Sequence, residues 1–266
     1  MAVSLSRGDP GDLVDGSTAG LERVPVSIVE KLPLVCFPHA GSGTLYYSKW
    51  KFAFSDGIDV RVVQYPLREQ RTNTPMPASL PLLARDIFTE LVDSFRGTFA
   101  IWGHSMGSIV GYEVAKLCQQ RLDNPPLMFF TSGSAAPCDR GFQRVSDLDT
   151  PEGIKKVLRD YGGLTEENLA DADFMNYFAP IIGGDLRLLG SYQDVAVEQL
   201  RCPIVVMKGR ADRVVTDQWQ RYTERPVETT EFDGGHFFIE ERRPEIAAFM
   251  ESKIQLMWQR KAASAR

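Results

Sequence analysis

Gly103-His104-Ser105-Met106-Gly107 sets a serine between two glycines, with the apolar run Phe99–Trp102 before it and a helical pattern over Met106–Gln120 after it. This is the G-x-S-x-G spacing of a serine nucleophile at a tight strand-to-helix turn. Side chains two residues to either side of the serine would collide in such a turn, which explains the glycines. The turn also presents the hydroxyl at a helix N-terminus, where developing negative charge is favoured.

A serine hydroxyl attacks only when a base removes its proton. The chain has three histidines. His104 adjoins the serine inside the turn, so its ring should point away from the hydroxyl. His39 lies far upstream. His236, in the loop Phe232–Ile239, follows the last candidate strand and precedes the terminal helix, where the base belongs in the chain order Ser…Asp/Glu…His. The carboxylate that accepts the imidazole N–H and fixes its tautomer should follow a strand between those two. Asp212 does so directly, after Pro203–Lys208. Asp217 and Asp233 are the alternatives.

The oxyanion formed by attack needs two preorganised N–H donors. Met106, next after the nucleophile, supplies one. The loop Val35–Thr44, Val-Cys-Phe-Pro-His-Ala-Gly-Ser-Gly-Thr, follows an early apolar run and supplies the other at the Ala40 N–H. Gly41 and Gly43 let its backbone bend toward the substrate. No Lys follows the glycines as phosphate cradles require, Tyr46 stands where G-x-G-x-x-G needs its last glycine, and His39 has no nearby partner ligand. No metal or phosphate site is predicted.

These residues must be carried by regular elements. Short apolar runs at Leu34–Phe37, Val60–Tyr65, Phe99–Trp102, Leu127–Ser132, Pro203–Lys208 and Val227–Phe232 read as strands. Helical patterns alternate with them: Ser79–Phe95 with Ser79 as N-cap, Met106–Gln120, and a terminal helix Pro244–Trp258. This alternation predicts an α/β fold with a mainly parallel central sheet flanked by helices. Residues 136–192 break it, with helical patterns but no convincing strand. Thr150-Pro151 starts one pattern and Leu169–Phe178 forms another. An inserted helical lid and ordinary helical packing are equally compatible with the spacing.

The composition narrows the class. With 43% hydrophobic residues in 266, the chain can bury a large core. A net charge of −5 gives no reason to expect nucleic acid, and no apolar stretch reaches the roughly 18–20 residues that span a bilayer. The N-terminus lacks the apolar centre of a signal peptide. Residues 1–24 read as a flexible arm before a hydrolase domain over 25–266. Cys36, Cys118, Cys138 and Cys202 lack metal-ligand spacing and suit free thiols in a reducing cytoplasm.

The motif set Cys36–Thr44, Gln64-Tyr-Pro-Leu-Arg-Glu-Gln-Arg71, Gly103–Ser108, Gly209-Arg-Ala-Asp212 and Gly234–Phe238 resembles the type II thioesterases, stand-alone hydrolases of polyketide and nonribosomal peptide synthesis. The match runs in order over nearly all of the chain after about residue 30. Two positions depart from the pattern: Ser42 and Leu67 stand where relatives usually have glycine. The resemblance implies an α/β-hydrolase fold with 136–192 as its lid, and cleavage of acyl thioesters from the phosphopantetheine arm of a carrier protein. Removal of stalled or aberrant acyl groups is the implied role. Ser105, Asp212 and His236 would be catalytic, with Ala40 and Met106 holding the oxyanion. Lid residues Met175, Tyr177 and Phe178 are candidates for lining an acyl channel, and Arg68 and Arg71 for meeting an acidic carrier. The implied enzyme is a cytoplasmic monomer without metal or organic cofactor. A generic esterase or lactonase with the same triad, and a non-catalytic ligand-binding protein on this fold, are the alternative readings.

Overall fold

The computed structural model describes residues 31–139, 148, 150–194, 197–214 and 217–264. The expected arm, 1–24, lies outside the described residues.

Six strands, β1 (Leu32–Phe37), β2 (Ile58–Val62), β3 (Ala100–His104), β4 (Phe129–Ser132), β5 (Ile204–Gly209) and β6 (Glu228–Phe232), form one sheet in the order β2-β1-β3-β4-β5-β6. Every neighbouring pair is parallel. Alternate residues of each strand serve opposite faces. Val35, Phe37, Ile101, Phe129 and Val206 pack on one side, and Leu34, Cys36, Trp102, Phe130 and Met207 on the other. With both faces covered, the central strands are apolar almost throughout.

The helices are α1 (Thr44–Tyr47), α2 (Leu80–Glu90), α3 (Met106–Leu122), α4 (Pro151–Tyr161), α5 (Glu166–Ala170), α6 (Ala172–Ser191), α7 (Phe238–Glu241) and α8 (Arg243–Ser264). Helices α2 and α3 cover the first face and α8 the second. Ser79 caps α2 by accepting the Leu82 N–H. That helix ends before the expected Phe95, and a tighter turn over Val92–Phe95 still buries the phenylalanine.

Between β4 and β5 the described helices are α4, α5 and α6, with a short tighter turn at Pro137–Asp139 before them. Thr150 caps α4 by accepting the Gly153 N–H. The pattern Leu169–Phe178 is two helices, not one. Asp171 takes the N–H groups of Asp173 and Phe174 in an extended conformation, which ends α5 and starts α6. Strand β2 is also displaced from the expected Val60–Tyr65. Val63 and Tyr65 are buried beyond the strand's end; Val63 still donates its N–H to Cys36 O at 2.9 Å, and their apolar character reflects core packing.

Strand β1 has β2 on one side and β3 on the other, so the strand order reverses between β1 and β3. In open parallel sheets the carboxyl ends at that switch point frame a crevice. The loops after β1 and β3 carry Ala40 and Ser105.

Candidate active site

Ser105 links β3 to α3 with φ 53° and ψ −118°, a conformation a side-chain-bearing residue adopts only under constraint. The constraint is visible in its neighbours. A Cβ on Gly103 would stand 2.3 Å from the Gly107 carbonyl oxygen, and one on Gly107 would stand 1.9 Å from that of Phe37. Ser105 donates its N–H to Ser132 O at 2.8 Å, which ties the elbow to β4. Its side chain makes no capping bond to α3.

Beyond β5 and β6 the chain brings Asp212 and His236 together. Asp212 Oδ1 accepts the Val214 N–H at 3.1 Å, and Oδ2 lies 3.0 Å from His236 Nδ1. Both side chains are almost fully buried. Gly209 lies so close to Gly235 O that a Cβ would meet it at 2.3 Å, which presses the end of β5 against the histidine loop.

The other histidines behave differently. His104 is fully buried, with Nδ1 on Ser132 Oγ at 2.9 Å. Burial, then the charges of His236 and His39, holds its pKa well below the ordinary value. His39 sits against Tyr46, His104 and Phe237, with Nδ1 3.0 Å from Tyr47 Oη. Burial, followed by the charges of His236 and Arg68, lowers its pKa to about 3. Both rings are therefore neutral at physiological pH.

The loop after β1 turns at His39–Ser42, closed by the Ser42 N–H on His39 O at 3.1 Å. That bond leaves the Ala40 N–H outside the turn. Met106 opens α3, where a backbone N–H has no carbonyl within the helix to bond. Gly41 has φ 79° and needs to be glycine, whereas Ser42 is not at positive φ, so its departure from glycine costs the backbone nothing.

The Gln64–Arg71 segment braces this loop, a role its sequence did not disclose. Tyr65 Oη donates to Pro38 O at 3.2 Å. Glu69 accepts the N–H groups of Thr44 and Leu45 at 3.1 and 2.8 Å, capping α1. Arg68 and Arg71 are not free for an acidic partner. Arg68 is buried against Asp185, and Arg71 pairs with Glu90.

Among the residues assigned to an acyl channel, Met175 is buried within the insertion's own core beside Ile154, Leu169 and Ile182. Phe178 packs against that cluster and Tyr177 is half exposed. The insertion instead meets the histidine loop through the end of α4. The Tyr161 ring lies 4.8 Å from that of His236, and a Cβ on Gly163 would strike the Phe237 ring at 2.3 Å. Tyr161 was legible only as one apolar position of a helical pattern.

Cys36, Cys118 and Cys202 are buried free thiols, and Cys138 is exposed. Among the described residues no cluster of three or more His, Cys, Asp or Glu could hold a metal, and no helix is long and apolar enough to cross a membrane.

A parallel sheet with an elbow serine after one strand and an Asp–His pair on the loops after two others defines an α/β-hydrolase. Residues 32–254 match the thioesterase domain family, and the chain belongs to that family. It is 31% identical over 236 residues to the gramicidin S biosynthesis protein GrsT of Aneurinibacillus migulanus, covering 87% of this chain and 92% of that one. Among solved structures, ClbQ of the colibactin NRPS/PKS pathway superposes with a TM-score of 0.78 at 27% identity, covering 86% of this chain and 98% of that one. RedJ, the thioesterase of prodiginine biosynthesis in Streptomyces coelicolor, gives 0.76 at 29% identity, covering 84% and 90%. The chain is a hydrolase of thioester bonds, of the type II class found in such pathways.

Proposed function

We propose that this thioesterase removes aberrant or stalled acyl groups from the phosphopantetheine arm of carrier proteins through an acyl-Ser105 intermediate. The observation that carries the mechanism is the 3.0 Å contact between His236 Nδ1 and Asp212 Oδ2, which leaves Nε2 as the base. His236 takes the Ser105 proton as Oγ attacks the thioester carbonyl, and the Ala40 and Met106 N–H groups receive the oxyanion. The His236 imidazolium returns that proton to the sulfur as the C–S bond breaks, and a thiol with a pKa of roughly 8.5 departs far more readily than an alkoxide. Water, deprotonated by His236, then releases the acid. These groups suffice without a metal or organic cofactor.

The helical insertion acts as a lid, with the arm entering between it and the sheet. Contact of Tyr161 and Gly163 with the histidine loop supports that reading. Met175, Tyr177 and Phe178 contribute through the apolar body of the lid. One chain carries every group required, and the carrier is the sole macromolecular partner of the reaction.

The test compares short acyl groups on a phosphopantetheinyl carrier protein with the same acyl groups in simple oxoesters. Faster turnover of the carrier-bound thioesters is expected. Faster turnover of the oxoesters would make the protein a generic esterase.

A further inference from the structure

Gly41 stands at the third position of the His39–Ser42 turn with φ 79°, and Ala40 is not at positive φ. The turn is therefore type II. Type I and type II turns differ by a flip of the central peptide, here the one joining Ala40 to Gly41. That peptide is held from outside the loop. The Gly41 N–H donates to Asp185 Oδ2 at 2.7 Å, and Asp185 belongs to α6 of the insertion.

Arg68 completes the grip. Its Nη1 donates to Asp185 Oδ2 at 2.8 Å and to Ser42 O at 2.7 Å, and its Nη2 donates to Asp185 Oδ1 at 2.7 Å. Nε donates to Pro66 O at 3.0 Å. The two side chains are 4% and 0% exposed. A buried ion pair gains little stability over apolar groups of the same volume. Stability alone thus gives no reason for charges here, whereas fixing a flippable peptide does. Ile182, one helical turn before Asp185, touches the same loop, since a Cβ on Gly41 would meet it at 2.4 Å.

We infer that Asp185 is a positioning residue for the oxyanion hole: with Arg68 it anchors the Gly41 N–H and the Ser42 carbonyl, which fixes the turn in the place from which the adjoining His39–Ala40 peptide presents the Ala40 N–H to the thioester carbonyl. The inference rests on Ala40 as an oxyanion donor. Because Asp185 rides on α6, the hole is complete only while that helix is seated. Displacement of the lid helix and loss of the hole are one event.

The test uses the Arg68→Met/Asp185→Leu double variant, which removes both charges and leaves neither buried alone. Folding is checked by melting temperature and near-ultraviolet circular dichroism. Two readouts follow: turnover of a short acyl N-acetylcysteamine thioester, and the ionisation of the hemiketal that a trifluoromethyl ketone forms on Ser105, followed by fluorine NMR. Kcat should fall by about ten- to hundredfold with KM within about threefold, somewhat less than complete loss of an oxyanion donor. The hemiketal pKa should rise by about one unit or more, one unit being a tenfold weaker hold on the oxyanion. If the double variant does not fold, Asp185→Asn, which keeps an acceptor for Gly41 but not the charge, should shift both readouts in the same direction by less. A folded variant with the wild-type hemiketal pKa overturns the inference, whatever its kcat. Failure of the wild-type enzyme to form any hemiketal would instead overturn the serine mechanism on which the inference rests.

Discussion

Asp212 Oδ2 lies 3.0 Å from His236 Nδ1, whereas Asp233, three residues before that histidine, reaches Arg210 and Arg242. The two carboxylates differ in burial as well. Asp212 is enclosed and the Asp233 side chain is 58% exposed. Asp212→Asn should lower kcat by about 10³- to 10⁴-fold, because the amide favours the wrong imidazole tautomer. Asp233→Asn should stay within about twofold, since it removes only exposed ion pairs. Steady-state kinetics of both variants decides; a near-normal Asp212→Asn would transfer the role.

Gly107 tests the elbow. Its would-be Cβ lies 1.9 Å from a β1 carbonyl oxygen, which cannot withdraw without disturbing the sheet. Gly107→Ala should cost at least about 3 kcal/mol in urea unfolding, at or beyond the upper range for overpacking. Gly190→Ala serves as the control. Gly190 is exposed within α6, with nothing within 4 Å of its would-be Cβ, and its replacement should be neutral or stabilising by up to about 1 kcal/mol.

The neutral histidines predict an acid-sensitive fold. The pKa of fully buried His104 is depressed below 6.5 in the folded state, and that of His39 lies near 3. Between the folded value and 6.5 the unfolded chain binds protons that the folded chain does not. Stability therefore rises with pH through this window and falls as pH drops below about 6.5. Urea unfolding at pH 7.5 and 5.5 should show the loss, with a limiting slope of about 1.4 kcal/mol per pH unit for each such histidine. Equal stability at the two pH values would contradict it.

Leu67 has φ 64°, in the region that favours glycine. Ala and Gly at this position differ by a single methyl group, so the backbone largely decides between them. Leu67→Gly should be more stable than Leu67→Ala by about 1 kcal/mol, the reverse of the ordinary order. Thermal unfolding of the pair gives the answer.

What the sequence disclosed was what neighbours in the chain determine. The elbow glycines, the caps Ser79 and Thr150, and the position of Asp212 after an apolar run are all local. Contacts between distant segments were hidden. The alternation of Val60, Val62, Val63 and Tyr65 looks the same whether a residue pairs in a sheet or plugs a core from a loop. The break at Asp171 was masked by the apolar residues on both sides of it. Arg68 and Asp185 are 117 positions apart, and no spacing rule joins them. One signal was available: Asp185 is a lone carboxylate in the apolar stretch Ala179–Leu189, and a buried charge demands a partner.

The most direct measurement is quenched-flow mass spectrometry of the enzyme mixed with a short acyl group on a phosphopantetheinyl carrier protein. The peptide containing Ser105 should gain the acyl mass before free acid appears, and Ser105→Ala should show neither the adduct nor turnover. Wild-type turnover by Ser105→Ala, or an acyl mass on a different residue, would contradict the acyl-Ser105 intermediate.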